Sequence, residues 1–366
     1  MADEVLSKRA LNRALLARQM LLERATIKPL AAIERLAGMQ AQVAKPSFIG
    51  LWSRLEKFKR DDLTKLIAKR DVVRATMMRA TIHLMSRRDY LQFRPALQPM
   101  LSAGFRAVFR NRGGELDIDR IVADARKFFD EEPRTFNDLR DHVKKRDANV
   151  DERAIGYAVR LHLPLVQVPD DSIWGWPGNS AFAVAESWLG EKLASEDALH
   201  ELALRYFAAF GPATVTDFQE WSALANQRGT IDAIRAKLRT FKDERGRELF
   251  DLPRAPRPDE ETPAPVRFLP EYDNILLGHA DRSRIIADEH RKRVATANLR
   301  ILATFLADGF VAGAWFIERK KTAATLKMQP FVTLTKKTRD ALADEGERLL
   351  RFVEDDAKKF AIDFIK

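Results

Sequence analysis

An internal repeat in the middle of the chain most constrains the fold. Residues 133–141 (PRTFNDLRD) recur as residues 212–220 (PATVTDFQE), at an offset of 79 positions. Each copy contains Thr-x-x-Asp, a pattern typical of the start of a capped helix. The same offset aligns Arg160 with Arg239 without a gap, so we expect the repeat to continue through a third helix.

A β-rich stretch follows the helices in each copy. It is predicted at residues 163–176 in the first copy, with a turn at Asp170-Asp171. In the second copy it is predicted at residues 240–252, with a turn at Arg245-Gly246. Three helices followed by a β-hairpin are the order of elements in a winged helix, a fold that many DNA-binding proteins use. The middle of the chain therefore predicts two consecutive winged helices.

The first third of the chain gives the same order in a more divergent form. Helices are predicted over residues 7–24, from Pro29 to residue 39, after Pro46 and over residues 62–71. Residues 73–85 contain β-branched residues in approximate alternation, which favours a strand or a hairpin. The first third is therefore expected to be a further winged helix.

The last third does not repeat this pattern. Five prolines within residues 253–265 indicate a linker or surface loop. Residues 266–335 are expected to be β-rich, with a tight turn at Asp308-Gly309, and residues 337–365 to form a closing helix. We therefore predict a mainly α protein with β-hairpin wings (α+β), built as a tandem winged-helix array with a C-terminal β-rich subdomain. The predicted domains are winged helices at residues 1–112, 113–192 and 193–253, then a linker, the β-rich subdomain and the closing helix at residues 254–366.

The composition narrows the partners and the chemistry. Lysine and arginine number 63 against 53 aspartates and glutamates, a net charge of +10 that favours nucleic acid, and next an anionic membrane, as partner. Cysteine is absent, which excludes disulfides, thiolate metal sites and thiol chemistry. The six histidines form no short metal-binding pair, and no glycine-rich phosphate-binding motif occurs. We therefore expect no metal and no cofactor.

The N-terminus and the most apolar stretch bear on the compartment. Residues 1–4 (MADE) lack the basic and apolar regions of a signal peptide. Residues 301–317 are mostly apolar, but Asp308-Gly309 interrupts them and they are short for a membrane span. We expect two buried strands there, no membrane association, and a cytoplasmic, nucleoid-associated protein.

One short motif, Gln40-Ala41-Gln42, leads to a family. Together with four other stretches it makes the sequence resemble the AlkZ-like DNA glycosylases, which are winged-helix DNA-binding proteins, over nearly the full chain. The stretches that carry the resemblance are residues 11–19 (LNRALLARQ), 38–42 (GMQAQ), 78–84 (MRATIHL), 211–214 (GPAT) and 269–284 (LPEYD through DRSR). The combination is specific, whereas no stretch would be so alone.

The resemblance implies a function and a reaction centre. The catalytic motif of the family is Gln-hydrophobic-Gln, and a related branch has Asp where the second glutamine stands. Gln40 and Gln42 therefore resemble the catalytic residues of the AlkZ-type branch. The family usually has Gly where Ala80 stands, which is a mild departure. The resemblance implies a monofunctional DNA glycosylase that acts on alkylated bases, including bulky adducts and crosslinks.

The chemistry of glutamine agrees with that substrate class. A glutamine side chain does not ionise, so it is no general base at neutral pH, but it can hold one water against a sugar carbon. Its carbonyl dipole can also favour positive charge that develops on the sugar. This help is weak, and it suffices best when the leaving group is already activated. N-glycosidic bonds to purines alkylated at N3 or N7 fit, because the cationic base leaves neutral.

Further basic residues are candidates for DNA contacts. Arg79 and His83 lie four positions apart in the predicted hairpin, so they would share one strand face and could line the DNA groove. His83 could alternatively be a buried core histidine. A basic cluster that suits either phosphate contacts or a solvated charged face consists of Arg282, Arg284, Arg291, Lys292 and Arg293, of which the first four are the predicted DNA contacts.

Two carboxylates and two tryptophans have open roles. Asp273 and Asp281 could orient the arginines of the basic cluster or support catalysis. Trp174 and Trp176 flank Gly175 and could stack on a base or fill the core of a wing.

The alternative to a glycosylase is a non-catalytic winged-helix DNA-binding protein or transcriptional regulator. Regulators typically pair one winged helix with a dimerisation or ligand domain, so that two copies read a palindromic site. Several copies in one chain favour a monomeric clasp over a dimeric reader. A structural nucleoid binder would bind DNA without a lesion preference. We therefore expect a monomer whose partner is duplex DNA with alkylated bases.

Overall fold

The first third of the chain combines short helices with one β-hairpin. The computed structural model describes residues 4–109, 116–146, 151–195, 198–296 and 300–365. The elements of the first third are β1 (Val5–Leu6), α1 (Lys8–Arg18), α2 (Pro29–Arg35), β2 (Met39–Gln40), α3 (Lys45–Arg54), α4 (Arg60–Ala68), β3 (Val72–Thr76), β4 (Ile82–Ser86), α5 (Arg87–Phe93) and α6 (Gln98–Phe109). The predicted hairpin is confirmed as β3 and β4. The first predicted helix is too long, because Met20 has a left-handed φ of 56° and turns the chain after α1.

The middle of the chain holds two sets of three helices, each followed by two strands. The first set and the helix after it are α7 (Ile118–Glu131), α8 (Phe136–Arg146), α9 (Glu152–His162), β5 (Leu165–Gln167), β6 (Phe182–Val184) and α10 (Ala185–Leu189). The second set is α11 (Leu199–Phe210), α12 (Val215–Ser222), α13 (Arg228–Ala233), β7 (Arg239–Asp243) and β8 (Glu248–Asp251). We call α2 to β4 the first unit, α7 to β6 the second unit and α11 to β8 the third unit.

Both repeated Thr-x-x-Asp sequences form capping boxes. The carboxylate of Asp138 accepts a hydrogen bond from the Thr135 backbone N–H at 2.7 Å, and the Thr135 hydroxyl accepts one from the Asp138 N–H at 3.2 Å. Thr214 and Asp217 make the same two bonds before α12. The repeat predicted from the sequence is therefore confirmed at the start of the second helix of each unit.

The predicted alignment of the two copies, with its offset of 79 residues, is wrong at the third helix. Arg160 lies inside α9, whereas Arg239 begins β7. The third helix of the third unit ends at Ala233, so its hairpin starts sooner than the 79-residue offset requires.

Of the two hairpins predicted for the repeat, one is confirmed and the other is wrong in its extent. The hairpin of the third unit is confirmed, with Gly246 at its turn in a left-handed conformation of φ 75°. The prediction for the second unit ends too early, because β5 pairs with β6 and not with residues before Trp176. A loop over residues 168–181 separates these strands, and Asp170 lies in a turn of this loop.

Strands from the first and second units form one sheet. Its strand order is β2-β4-β3-β5-β6, and the two units meet where Ala75 of β3 pairs with Val166 of β5. A separate three-stranded sheet, β1-β7-β8, joins the N-terminus to the third unit. These pairings connect segments that were predicted as different domains. The predicted boundary between residues 112 and 113 lies outside the described residues, and the division into domains stays a prediction.

The last third contains a five-stranded sheet and a long helix. Its elements are β9 (Arg267–Leu269), α14 (Asp288–Val294), β10 (Thr304–Ala307), β11 (Phe310–Lys320), β12 (Ala323–Pro330), α15 (Lys336–Val353) and β13 (Lys359–Phe364). The five strands form a sheet of order β13-β12-β11-β10-β9. The turn at Asp308-Gly309 is confirmed, with φ values of 48° and 81°. The predicted closing helix is wrong beyond Val353, because β13 pairs in parallel with β12.

Between β9 and β10 the chain is helical and not β-rich as predicted. Two short 3-10 turns, Asn274–Leu276 and Arg282–Arg284, precede α14. Asn274, in the first of these turns, contacts the first unit.

Helix α1 ties distant parts of the molecule together. The Nδ2 of Asn12 donates to the carbonyl of Gly309 at 2.8 Å in the C-terminal hairpin. The buried guanidinium of Arg18 makes a bidentate ion pair with the buried carboxylate of Asp251 in the third unit, at 2.6 and 2.8 Å. Residues 11–19, which carried part of the family resemblance, therefore have a structural role.

Within the described ranges, no helix combines the length and the apolar character needed to cross a membrane.

Candidate active site

Gln40 and Gln42 lie at the edge of the sheet that the first two units share. Gln40 ends β2, which pairs antiparallel with β4 so that Gln40 faces His83. The next residue, Ala41, continues this pairing through its N–H, which donates to the Ile82 carbonyl at 2.7 Å. The side chain of Gln40 is largely buried, whereas Gln42 is exposed. The helix predicted to reach residue 39 ends earlier, and the motif begins in a strand.

A glycine turns the chain from α2 into this strand. Gly38 has a left-handed φ of 84°, and a Cβ built on it would clash with the Sδ of Met85. A side chain at this position would therefore force apart the packing that places β2 beside β4.

Side chains from other parts of the fold hold the backbone of the motif. The Oδ1 of Asn274 accepts a hydrogen bond from the Gln40 N–H at 3.1 Å, and its Nδ2 donates to the Gly38 carbonyl at 2.5 Å. On the other side, the buried guanidinium of Arg74 donates to the Ala41 carbonyl at 2.8 Å. The motif is thus fixed by an asparagine more than 200 residues away in sequence and by a neighbouring strand.

Both glutamine side chains accept hydrogen bonds through their oxygens. The Nη2 of Arg79 donates to the Oε1 of Gln40 at 2.7 Å. The backbone N–H of Ile82 donates to the Oε1 of Gln42 at 2.9 Å. Within the described part of the chain, the Nε2 of neither glutamine has a hydrogen-bond partner. Their amide NH2 groups are therefore free to bind substrate or water.

The turn between β3 and β4 positions Arg79. Arg79 and Ala80 both have left-handed φ values, 55° and 56°, which glycine adopts most easily. A glycine would adopt this backbone more easily than Ala80 does. The prediction that Arg79 and His83 share a strand face is wrong, because Arg79 lies in the turn and only His83 lies in β4.

His83 is a core residue and not a DNA contact. Its side chain is buried, and its Nδ1 lies 3.1 Å from the Thr81 carbonyl. Burial, together with the nearby charge of Arg79, lowers the pKa of His83 to about 3. The imidazole therefore stays neutral at physiological pH beside Gln40.

Arg79 is also directed inward. Its Nη1 donates to the carbonyl of Trp221 at 2.5 Å, and its Nη2 is occupied by Gln40. Burial, together with the charge of Arg282, lowers the pKa of Arg79 to about 10. Arg79 therefore remains cationic at pH 7, with its donors turned towards protein atoms and not towards solvent.

The predicted basic cluster divides into a buried arginine and exposed cations. Arg284 is buried and donates to the Pro212 carbonyl at 2.7 Å, so the structure contradicts its prediction as a phosphate contact. Arg282 is partly exposed and lies 3.5 Å from Glu220, while Arg291 and Lys292 are exposed on α14. The three remaining cations line a groove of about 490 Å³ whose floor is apolar.

The two aspartates with open roles serve the backbone and other arginines. Asp273 makes a buried bidentate ion pair with Arg54, at 2.7 and 2.8 Å, immediately before Asn274. Asp281 accepts from Arg247 at 2.7 Å and from the Ser283 N–H at 3.0 Å. Neither aspartate orients the predicted cluster. Instead, Asp273 anchors the segment that holds Gln40.

The tryptophans pack inside the protein. Trp176 is buried, and Arg74, which holds the motif, lies 5.1 Å from the centre of its ring. Trp174 is half-buried and meets the ring of Phe48 edge-on at 5.1 Å. Of the two roles considered for them, packing against the first unit is the one that the structure supports.

Sequence reasoning missed Asn274, Arg74 and Arg54. Each contacts the motif, or the segment beside it, only through the folded chain. The local signal for Asn274 was its place directly after Asp273, which caps the 3-10 turn with a bond to the Ile275 N–H at 3.2 Å. No spacing in the sequence connects this turn with Gln40.

Comparisons of the sequence and the structure with known proteins identify the family of this chain. The family model described as DNA glycosylase AlkZ-like matches residues 33–352. The chain is 24% identical to the interstrand DNA cross-link repair glycosylase of Streptomyces sahachiroi in an alignment of 331 residues, with coverage of 80% of this chain and 83% of that protein. The solved structure of Streptomyces sahachiroi DNA glycosylase AlkZ superposes with a TM-score of 0.81 at 21% identity, covering 99% of this chain and 100% of that one.

Proposed function

The chain belongs to the AlkZ-like DNA glycosylase family, and from this premise we propose that Gln40 and Gln42 hold the water that hydrolyses the N-glycosidic bond of an alkylated purine. The reaction leaves an abasic site in duplex DNA. The observation that carries the proposal is the way the motif is held. Its backbone is fixed by Asn274 and Arg74, while both amide NH2 groups stay free at the edge of a sheet.

The surroundings of the motif support a leaving group that is already activated. Among the described residues, the hydrogen-bond partners of the two glutamine side chains are Arg79 and the backbone of Ile82, and neither is a carboxylate. Without a carboxylate to draw a proton from water, a neutral purine would leave too slowly. A purine alkylated at N3 or N7 carries a positive charge and leaves neutral. This supports cationic alkylpurines as the substrate class.

Bulky and crosslinked lesions are part of the proposed substrate range. The relative from Streptomyces sahachiroi is named an interstrand DNA cross-link repair glycosylase. In this chain Gln42 is exposed at the edge of β2 and is not enclosed in a deep pocket. Such an edge can meet a base that carries a large substituent or remains attached to the opposite strand.

We further propose that the three units are winged helices that grip the duplex. In each unit a residue before the second long helix pairs with the last strand of the hairpin: Gln40 with His83, Arg134 with Phe182, and Ala213 with Phe250. This strand contact is usual in winged helices and supports the tandem arrangement. Three units in one chain support a monomer, which would act at the nucleoid.

The exposed cations Arg282, Arg291 and Lys292 are the proposed phosphate contacts. Leu276 lines the groove of these cations and lies two residues after Asn274, which accepts a hydrogen bond from the Gln40 N–H at 3.1 Å. One short turn therefore connects the groove with the motif. We expect Lys292→Ala to reduce the slope of log affinity against log salt by about 0.9, the value for one neutralised phosphate.

The test of the function is a single-turnover assay with three duplexes. They carry one N7-methylguanine, one bulky N7-alkylguanine or no lesion, and alkali converts abasic sites to strand breaks. We expect breaks at both lesions and none in the unmodified duplex. Tight binding to all three without breaks would support a non-catalytic DNA-binding protein instead.

A further inference from the structure

The fixed orientation of the two glutamine amides defines what the site recognises. We infer that Arg79 is a positioning residue that turns the Gln40 amide so that its NH2 group, like that of Gln42, faces the substrate. The site then binds hydrogen-bond acceptor atoms at the reacting centre. The expectation that the glutamine carbonyl dipoles favour positive charge on the sugar is wrong in this orientation, because both carbonyl oxygens are occupied by protein donors. This inference rests on the proposed function and deepens it.

The chemistry of the partners decides the orientation. A guanidinium and a backbone N–H can only donate hydrogen bonds. The atom of Gln40 that lies 2.7 Å from Arg79 must therefore be the oxygen, and so must the atom of Gln42 that lies 2.9 Å from the Ile82 N–H. A flipped amide would place two donors against each other and lose the hydrogen bond. Two independent donors thus impose the same orientation.

The fold fixes the position of Arg79 on both sides. Its turn requires two consecutive left-handed residues, which are uncommon outside glycine. Its second donor is held by the Trp221 carbonyl at 2.5 Å in the third unit. The guanidinium is thereby fixed between the two units. A cation on the amide oxygen also polarises the amide and strengthens its NH2 group as a donor.

The expected partner of each NH2 group is a hydrogen-bond acceptor atom that is neutral or negatively charged. The oxygen of the attacking water and the carbonyl or ring nitrogen of the departing purine both satisfy this requirement. The purine gains electron density as the bond breaks, so a donor aimed at it favours departure. A water bound through its oxygen is positioned by the amide without being deprotonated by it.

The first experiment separates donation from acceptance by using Gln40→Glu. Glutamate has the same shape and can keep the bond to Arg79, but it replaces the NH2 group with an acceptor oxygen. We expect release of N7-methylguanine to slow by about 100-fold. A rate equal to or above that of the wild type would overturn the inference, because it would mean that Gln40 acts as an acceptor.

The second experiment tests Arg79 through a matched pair, Arg79→Lys and Arg79→Met. Lysine retains a cationic donor, whereas methionine retains only the length of the side chain. We expect Arg79→Met to lower the single-turnover rate by about 30-fold or more and to leave the Kd for unmodified duplex within about threefold, while Arg79→Lys recovers most of the rate. A weakened Kd with an unchanged rate would contradict the inference and make Arg79 a DNA contact.

A third measurement does not depend on activity. The side-chain NH2 signal of Gln40 can be followed by NMR in protein labelled with ¹⁵N-glutamine and assigned by its loss in Gln40→Glu. We expect a rigid signal in the wild type and in Arg79→Lys, and a mobile one in Arg79→Met. Equal rigidity in all three would overturn the positioning role. If the wild type released no base, the proposed function would fail while this measurement still decided the orientation.

Discussion

The first and third units build the same connection in two different ways. In the third unit, Ala213 pairs with the hairpin and the next residue, Thr214, already caps α12. In the first unit, Gln40 pairs with the hairpin, but residues 41–44 intervene before α3, whose start has no side-chain cap. The capped connection is closed by its own residues, whereas the longer one is held by side chains from elsewhere. The difference provides a segment of fixed geometry that carries the largely buried Gln40 and the exposed Gln42.

The largest effect is expected from breaking the ion pair between Arg54 and Asp273, which anchors the segment that holds Gln40 in the first unit. Arg54→Met would leave the buried carboxylate of Asp273 without its partner, and we expect the free energy of unfolding to fall by about 3–5 kcal/mol. Denaturant unfolding measures it. The control is Arg228→Met in the third unit, which removes exposed ion pairs with Asp232 and Glu248 and should change stability immeasurably. Equal losses in both variants would contradict the comparison.

The next effect concerns Asn274, which holds the motif directly. Asn274→Ala removes the bonds to the Gln40 N–H and the Gly38 carbonyl, and a displacement of about 1 Å is expected to slow base release about 100-fold. The matched control is Asn12→Ala, since Asn12 is also buried and also holds backbone carbonyls. At a temperature where both variants are folded, Asn12→Ala should retain the wild-type rate. Similar rates for the two variants would mean that the clamp has no catalytic role.

A smaller effect is expected from the capping boxes. Thr135→Ala and Thr214→Ala should each lower the free energy of unfolding by about 1 kcal/mol, because one helix loses its cap. Serine at either position should recover the loss. Neither variant should change the rate of base release, since the capped connections carry no reacting group. A rate defect in Thr214→Ala would show that the third unit contributes to the site.

The smallest expected effect is that of pH on the chemical step. The glutamines do not titrate, burial lowers the pKa of His83 to about 3, and the pKa of Arg79 remains at about 10. The single-turnover rate on N7-methylguanine should therefore be flat between pH 5.5 and 8.5, because none of these four side chains changes its charge there. A rate that rose with an apparent pKa near 6 or 7 would indicate a titrating base and a different mechanism.

Protonation of His83 bears on stability and not on the rate. Its folded pKa lies below the unfolded value, so the unfolded chain binds the proton first as the pH falls. The stability of the neutral form is therefore complete above about pH 6.5 and is lost progressively below it.

Local patterns predicted the elements well where the cause is local. The capping boxes, the Asp308-Gly309 turn and the hairpin at residues 73–85 each depend on neighbouring residues, and the structure contains all of them. Errors arose where partners decide the outcome. The strand β13 was predicted as part of a helix, but its pairing with β12 fixes it as a strand.

The same distinction holds for the site. The motif Gln40-Ala41-Gln42 is readable in the sequence through its resemblance to a family, whereas Asn274 and Arg74 are not, because only the tertiary fold brings them to it. The roles predicted for His83 and Arg284 failed for a physical reason. Residue type and spacing do not reveal burial, and both side chains are buried among other elements.

The most direct measurement of the central claim is the rate of free-base release by glutamine variants. Gln40→Ala, Gln42→Ala and the double variant would be compared with Gln92→Ala, a glutamine of α5, on duplex DNA with one N7-methylguanine under single-turnover conditions. We predict a loss of about 100-fold or more for each motif variant, an unchanged Kd for DNA, and a wild-type rate for Gln92→Ala. Release at the wild-type rate by the double variant would contradict the account, because the reaction centre would then lie elsewhere.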